Sequence, residues 1–177
     1  MQLTFYDEIF ENSSGAIIDD SKEYRYSLWR IWNDKLPRVT FIMLNPSTAD
    51  SRVDDPTLRR CIKFAMDWGY GSLEVVNLFA YRSTDPKMLL SAHDPIGKEN
   101  NQYIVNALAR SQKVILAWGT KGILFGRDKD VLQLIQENRV PIYALELTKE
   151  GHPRHPLYVK SNKIPELYEE GVNRHQL

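Results

Sequence analysis

The stretch Val39-Thr40-Phe41-Ile42-Met43-Leu44 is apolar without alternation, broken only by one threonine hydroxyl. Such a run predicts a strand covered on both faces, because a half-solvated strand would alternate apolar with polar. Both faces then need partners, which points to helices above and below a sheet. The run ends abruptly in a polar segment, 45–55, and Pro56 opens a helix there. Proline suits a first helical turn, and Asp54 or Asp55 can cap it. Leu58, Cys61, Ile62, Ala65 and Met66 share one helical face, and Gly69 closes it.

The same alternation continues. Strands are predicted over 73–78, 114–118 and 140–147. A helix following His93-Asp94-Pro95 carries Ile104, Val105, Leu108 and Ala109 on one side. Another carries Val131, Leu132, Leu134 and Ile135. Before the first buried strand, Gly15 to Ile18, a turn at Asp19-Asp20-Ser21 and Tyr24 to Trp32 read as a β-hairpin. There Tyr24, Tyr26, Leu28 and Trp32 share one parity, and Arg25, Ser27 and Asn33 the other. The expected fold is a three-layer α/β/α sandwich with a mostly parallel sheet of about four core strands. It forms a single domain over 1–177, the hairpin 15–33 packing on a core spanning 38–160.

Composition bounds the partners. With 177 residues, Lys plus Arg at 23 and Asp plus Glu at 23, the net charge is zero, which argues against a large basic surface for duplex DNA. The single Cys61 excludes an intramolecular disulfide and any multi-cysteine metal or cluster site. No stretch reaches the roughly 18 apolar residues of a membrane span. The acidic opening MQLTFYDEIF lacks an apolar signal core, so a cytoplasmic location is expected. No cofactor or metal is implied.

Three polar segments follow the strands, at the sheet edge where open α/β proteins bind ligands. In Asn45-Pro46-Ser47-Thr48-Ala49-Asp50, short polar groups sit ahead of a helix N-terminus, and Asn45 and Asp50 are candidates to position a water. Asp54, Asp55 and Thr57 are covered by capping alone. In Asn77-Leu78-Phe79-Ala80-Tyr81-Arg82, an amide interrupts an apolar strand. Asn77 either reads a base edge or bonds its own loop. Phe79 and Tyr81 either stack on a base or fill the core, and Arg82 either meets a phosphate or is solvated. In His152-Pro153-Arg154-His155-Pro156-Leu157-Tyr158, two histidines sit in a proline-stiffened loop, where an imidazole can stabilise an oxyanion. Trp118 begins a loop at the same edge. His93 reads as a helix-entry residue and His175 as part of the tail.

These motifs, together with Asp54-Asp55-Pro56-Thr57 and Ala117-Trp118-Gly119, closely resemble a bacterial and phage family described as a domain of unknown function, number 1643. The resemblance spans about Tyr24 to Tyr158. More distantly, the order of motifs resembles the uracil-DNA glycosylase superfamily. That likeness implies a hydrolytic water held at Asn45-Pro46, a base read by Asn77, and negative charge on the leaving base stabilised by the His-Pro loop. His155-Pro156-Leu157-Tyr158 lacks the serine that follows proline in that superfamily, and His152-Pro153 offers a competing alignment. The resemblance and the reading of the residues together give an expected N-glycosidase using Asn45, Asp50 and His155, with Pro46, Ser47, Thr48, Asn77, Phe79, Tyr81, Arg82, Trp118, His152 and Tyr158 around the substrate. The substrate is a nucleobase, a nucleotide or single-stranded nucleic acid. A non-catalytic nucleotide- or protein-binding module on the same fold is the alternative.

Overall fold

The computed structural model describes residues 14–169; the acidic opening segment and His175 lie outside them. Seven strands form one mixed sheet: β1 (Gly15–Ile18), β2 (Arg25–Ile31), β3 (Arg38–Met43), β4 (Ser72–Asn77), β5 (Lys113–Leu116), β6 (Ile142–Ala144) and β7 (Glu166–Leu167), in the spatial order β1-β2-β4-β3-β5-β6-β7. The middle four, β4-β3-β5-β6, run parallel. β2 and β7 flank them antiparallel. Hairpin 15–33 is therefore not a layer on the core: Leu28 to Ile31 pair with Ser72 to Val75 and extend the sheet.

β3 pairs on both sides, and its alternate residues serve two separate cores. Val39, Phe41 and Met43 pack with Leu58, Cys61, Phe64 and Ala65 of helix α1 (Pro56–Asp67). Ile42 faces the other way, among Ile104, Ala107 and Leu108 of α2 (Asn100–Arg110) and Val131, Leu132 and Ile135 of α3 (Arg127–Glu137). Helices thus cover both faces, which is why the run is apolar throughout. α1 begins as its spacing requires, with Pro56 in the first turn and Asp55 accepting from the Leu58 amide at 2.7 Å.

Other expectations are corrected too. α2 starts at Asn100, not directly after Pro95, because Asp94 instead closes a turn onto the amides of Ile96 and Gly97. Ala107 rather than Ala109 faces the core. β6 covers three residues, not 140–147, since the chain turns away after Ala144. No helix among the described residues is long and apolar enough to cross a membrane.

The parallel strands end at one edge, so the segments after β3, β4, β5 and β6 meet there. β2 runs the opposite way and brings its first residue, Arg25, to that edge. Because Phe41 is fully buried mid-sheet, Phe41→Ala should cost about 3–5 kcal/mol. Met66, expected on the apolar face of α1, is instead 49% exposed, and Phe64 takes the core position; Met66→Ala should therefore stay within about 0.5 kcal/mol in urea unfolding. Equal losses would contradict this assignment of the two faces.

Candidate functional site

A cavity of about 280 Å³ opens at the carboxyl edge of the parallel strands, on the α1 side. It is near the lower end of the roughly 300–1,000 Å³ usual for small-molecule sites. Asn45, Ser47, Asn77, Trp118 and His155 all line it, so three separate loops and a strand end converge on one space. Arg25, Asp55, Thr57, Ser83 and Thr84 add polar groups to its wall.

Asn77 is the least satisfied of these groups. It ends β4, shares the parity of Leu73 and Val75, and therefore faces the α1 side. It is 1% exposed, and neither its Oδ1 nor its Nδ2 has a hydrogen-bond partner. The alternative of a bond to its own loop is not realised by the side chain. The neighbouring backbone is held instead by Asn100, whose amide donates to the carbonyls of Asn77 and Leu78 at 2.9 and 3.0 Å. A buried amide with both functions unpaired costs a few kcal/mol. Such a group at a cavity wall calls for a partner.

His155 is built differently. Its Nδ1 accepts from the Leu157 amide at 3.2 Å, at the start of the 3₁₀ turn Pro156–Tyr158. Burial pushes its pKa below the ordinary 6.5, partly opposed by the Asp55 charge. The neutral ring then carries its proton on Nε2, as a donor.

Asn45 has its amide nitrogen engaged by backbone, donating to the carbonyls of Pro46 at 3.1 Å and Ser83 at 2.9 Å. This pins the 45–50 loop to the 81–83 segment and leaves Oδ1 as the atom able to accept. Trp118 is buried against Gly122, where a Cβ would stand 2.2 Å from the indole. Only glycine permits that approach.

Other sequence candidates fall elsewhere. Asp50 is not brought to the cavity. Its carboxylate accepts from the amides of Arg52 and Val53 at 2.9 and 2.8 Å, and these bonds lower its pKa. Pro46 is buried beneath the loop and Thr48 is exposed. Phe79 belongs to the opposite core, edge-on to Phe125. Tyr81 packs edge-on to Tyr24, and Arg82 donates to the Lys22 carbonyl near the β1–β2 turn. His152 stabilises a tight turn through its backbone bonds to Thr148 and does not line the cavity. Tyr158 is 76% exposed and lines an adjoining cleft of about 440 Å³ with Lys121 and Arg154. That cleft shares Trp118 and His155 with the cavity.

Two residues were missed. Asp55 was read as a cap, which it is, but it also lines the cavity. Arg25 was assigned to the polar parity of β2. A β-bulge overturns that: Ile17 pairs with Ser27 but Ile18 with Arg25, leaving Tyr26 extra. Tyr26 consequently stacks on Tyr103 of α2, and Ser27 donates to the buried Glu74, which Arg110 of α2 pairs at 2.9 Å. Arg25 is turned to the opposite face, where its Nη1 donates to the Ala49 carbonyl at 3.0 Å. Burial lowers its pKa to about 10, with Asp55 partly opposing the shift. Cys61 is no nucleophile, since burial pushes its thiol up. No group of metal-ligating side chains forms among the described residues.

These features define an α/β protein with a polar cavity at the carboxyl edge of its parallel strands. The chain belongs to the family described as protein of unknown function DUF1643, whose model matches residues 25–157. No curated protein and no solved structure matches it. The matched span contains every residue of the cavity wall named above.

The lowered His155 pKa has a testable consequence. Below 6.5 the unfolded chain takes up this proton first, so stability is full above that range and is lost as pH falls toward the folded value. His155→Gln, which can still accept from Leu157, should flatten the fall in unfolding free energy between about pH 7 and 5. An unchanged slope in the variant would show that His155 does not carry it.

Proposed function

We propose that the cavity receives a nucleobase and that the protein is a nucleobase- or nucleotide-directed N-glycosidase, on a three-layer scaffold like that of uracil-DNA glycosylases. One observation carries this reading: the buried, wholly unpaired amide of Asn77 at the cavity wall. A primary amide offers donor and acceptor side by side, which matches the edge of a base. The neutral His155 supports it, since an Nε2–H suits negative charge growing on a base oxygen.

In this mechanism a water oxygen bonds to the sugar carbon as the glycosidic C–N bond breaks. The bonding pair leaves with the base, whose oxygen accepts from His155. The water proton passes to a carboxylate and then to the departed base. Asp50 does not line the cavity, so Asp55 takes that part, with the Asn45 Oδ1 orienting the water. The adjoining cleft, with Lys121, Arg154 and Tyr158, suits the sugar-phosphate of a nucleotide or single strand. The binding-module reading is favoured by one specific fact, that the Asn45 amide nitrogen is tied to backbone and leaves a single acceptor.

Titration with free bases and nucleotides, followed by an assay for base release, tests the proposal. Asn77→Ala should remove discrimination among bases worth about 1–3 kcal/mol. His155→Ala should cost about 2.7–4 kcal/mol in turnover while His152→Ala is mild. Binding of every base unchanged in Asn77→Ala would overturn the base-reading role, and the reverse histidine ranking would move the donor to His152.

Asp55→Asn separates catalyst from binder, because asparagine still caps α1. Base release should fall by about a hundredfold or more with melting temperature nearly unchanged. Binding without release in the wild-type protein would leave the binding-module reading in place.

A further inference from the structure

Arg25 is 4% exposed, yet it forms no ion pair with any described carboxylate. Its guanidinium has one acceptor, the Ala49 carbonyl, and its buried Nε has none. Arg30, on the same strand, shows what a satisfied guanidinium looks like here. Its three nitrogens donate to the Asp54 carboxylate and to the carbonyls of Trp29, Asp50 and Val53 among others. A desolvated cation with one neutral acceptor is costly, and an oxyanion with paired oxygens is its natural complement. The bulge at Tyr26 is the device that aims Arg25 at the cavity instead of at Glu74.

We propose that Arg25 makes this cavity an oxyanion site, whose ligand brings a carboxylate or phosphate onto the buried guanidinium while its amide edge meets Asn77. The heterocyclic part of that ligand rests on the function proposed above; the anionic part rests on Arg25 alone. Asp55, the N-cap of α1, partly offsets the effect of burial on the guanidinium without closing an ion pair on it. The selected ligand is thus an acidic nucleobase derivative or a nucleotide rather than a neutral base.

Calorimetric titration of the full chain tests this with matched probes. These are uracil against uracil-5-carboxylate and uracil-6-carboxylate, the four common free bases against their 5′-monophosphates, and inorganic phosphate alone. In the wild-type protein an anionic member should bind about tenfold to a hundredfold tighter than its neutral partner. That ratio should collapse toward one in Arg25→Gln, while Asn77→Ala weakens neutral and charged heterocycles alike. A carboxylate source is distinguished by preference for the acid over the monophosphate, and a phosphate source by competition from inorganic phosphate. Equal affinity for charged and neutral partners in the wild type overturns the proposal, whether or not Arg25→Gln folds. So does a charge preference that survives in Arg25→Gln, or the absence of binding by every probe. Phosphate binding that depends on Arg25, with no heterocycle bound, upholds the anion site and removes the nucleobase reading. Base binding indifferent to charge does the opposite.

Discussion

β3 is hydrogen-bonded in parallel to β4 on one side and β5 on the other, and the site depends on that double ladder. It places the carboxyl ends of the central strands side by side, so that groups far apart in the chain share one small space. Register matters as much as direction. Met43 stands opposite Asn77, and Met43 and Leu44 hold the two residues after Asn77. The Leu78 amide donates to the Met43 carbonyl and the Phe79 amide to that of Leu44, so the two loops leave the sheet together. A slip of one residue would turn Asn77 toward α2 and Phe79 toward the cavity.

Around this frame several buried polar groups are paired. Glu74, fully buried, receives Ser27 and Arg110; Arg127 donates to the Leu78 carbonyl and to Asn101. Buried polar atoms without a partner occur also at Arg60, Arg82 and Asn100, but those of Asn77 and Arg25 are informative because they sit on the wall of the same cavity. Such groups lower stability in the free protein and are the kind of local inconsistency that collects at functional sites. In the proposed site they divide the labour, the amide reading a neutral edge and the guanidinium reading charge.

How much of this was legible depended on the local signal. β3 and α1 announced themselves, because an unbroken apolar run and a Pro-opened helical face have few other uses. Asn77 stood out as one amide in an apolar strand. β7, two exposed residues pairing with β6, is too short to leave a pattern. Phe79 was ambiguous because an apolar ring after a strand looks the same whether it meets a ligand or a core. Asp55 hid behind its capping role, since the same carboxylate does both. Arg25 was hidden by the bulge: alternation counts residues, and one extra residue at Tyr26 reverses the faces beyond it. The loop aspartate chosen as water-binder, Asp50, illustrates the converse, a polar residue in the right segment whose oxygens close its own turn.

The central claim is that the Asn77 amide is the ligand-reading group of this cavity. The most direct test is nitrogen-resolved NMR of its side-chain NH₂, identified by the signal lost in Asn77→Ala, during titration with the tightest-binding nucleobase or nucleotide. The account predicts that this pair of resonances moves with the binding isotherm and saturates with it. A ligand that saturates the protein while the Asn77 NH₂ stays unmoved, with shifts gathered away from the carboxyl edge of the sheet, would contradict it.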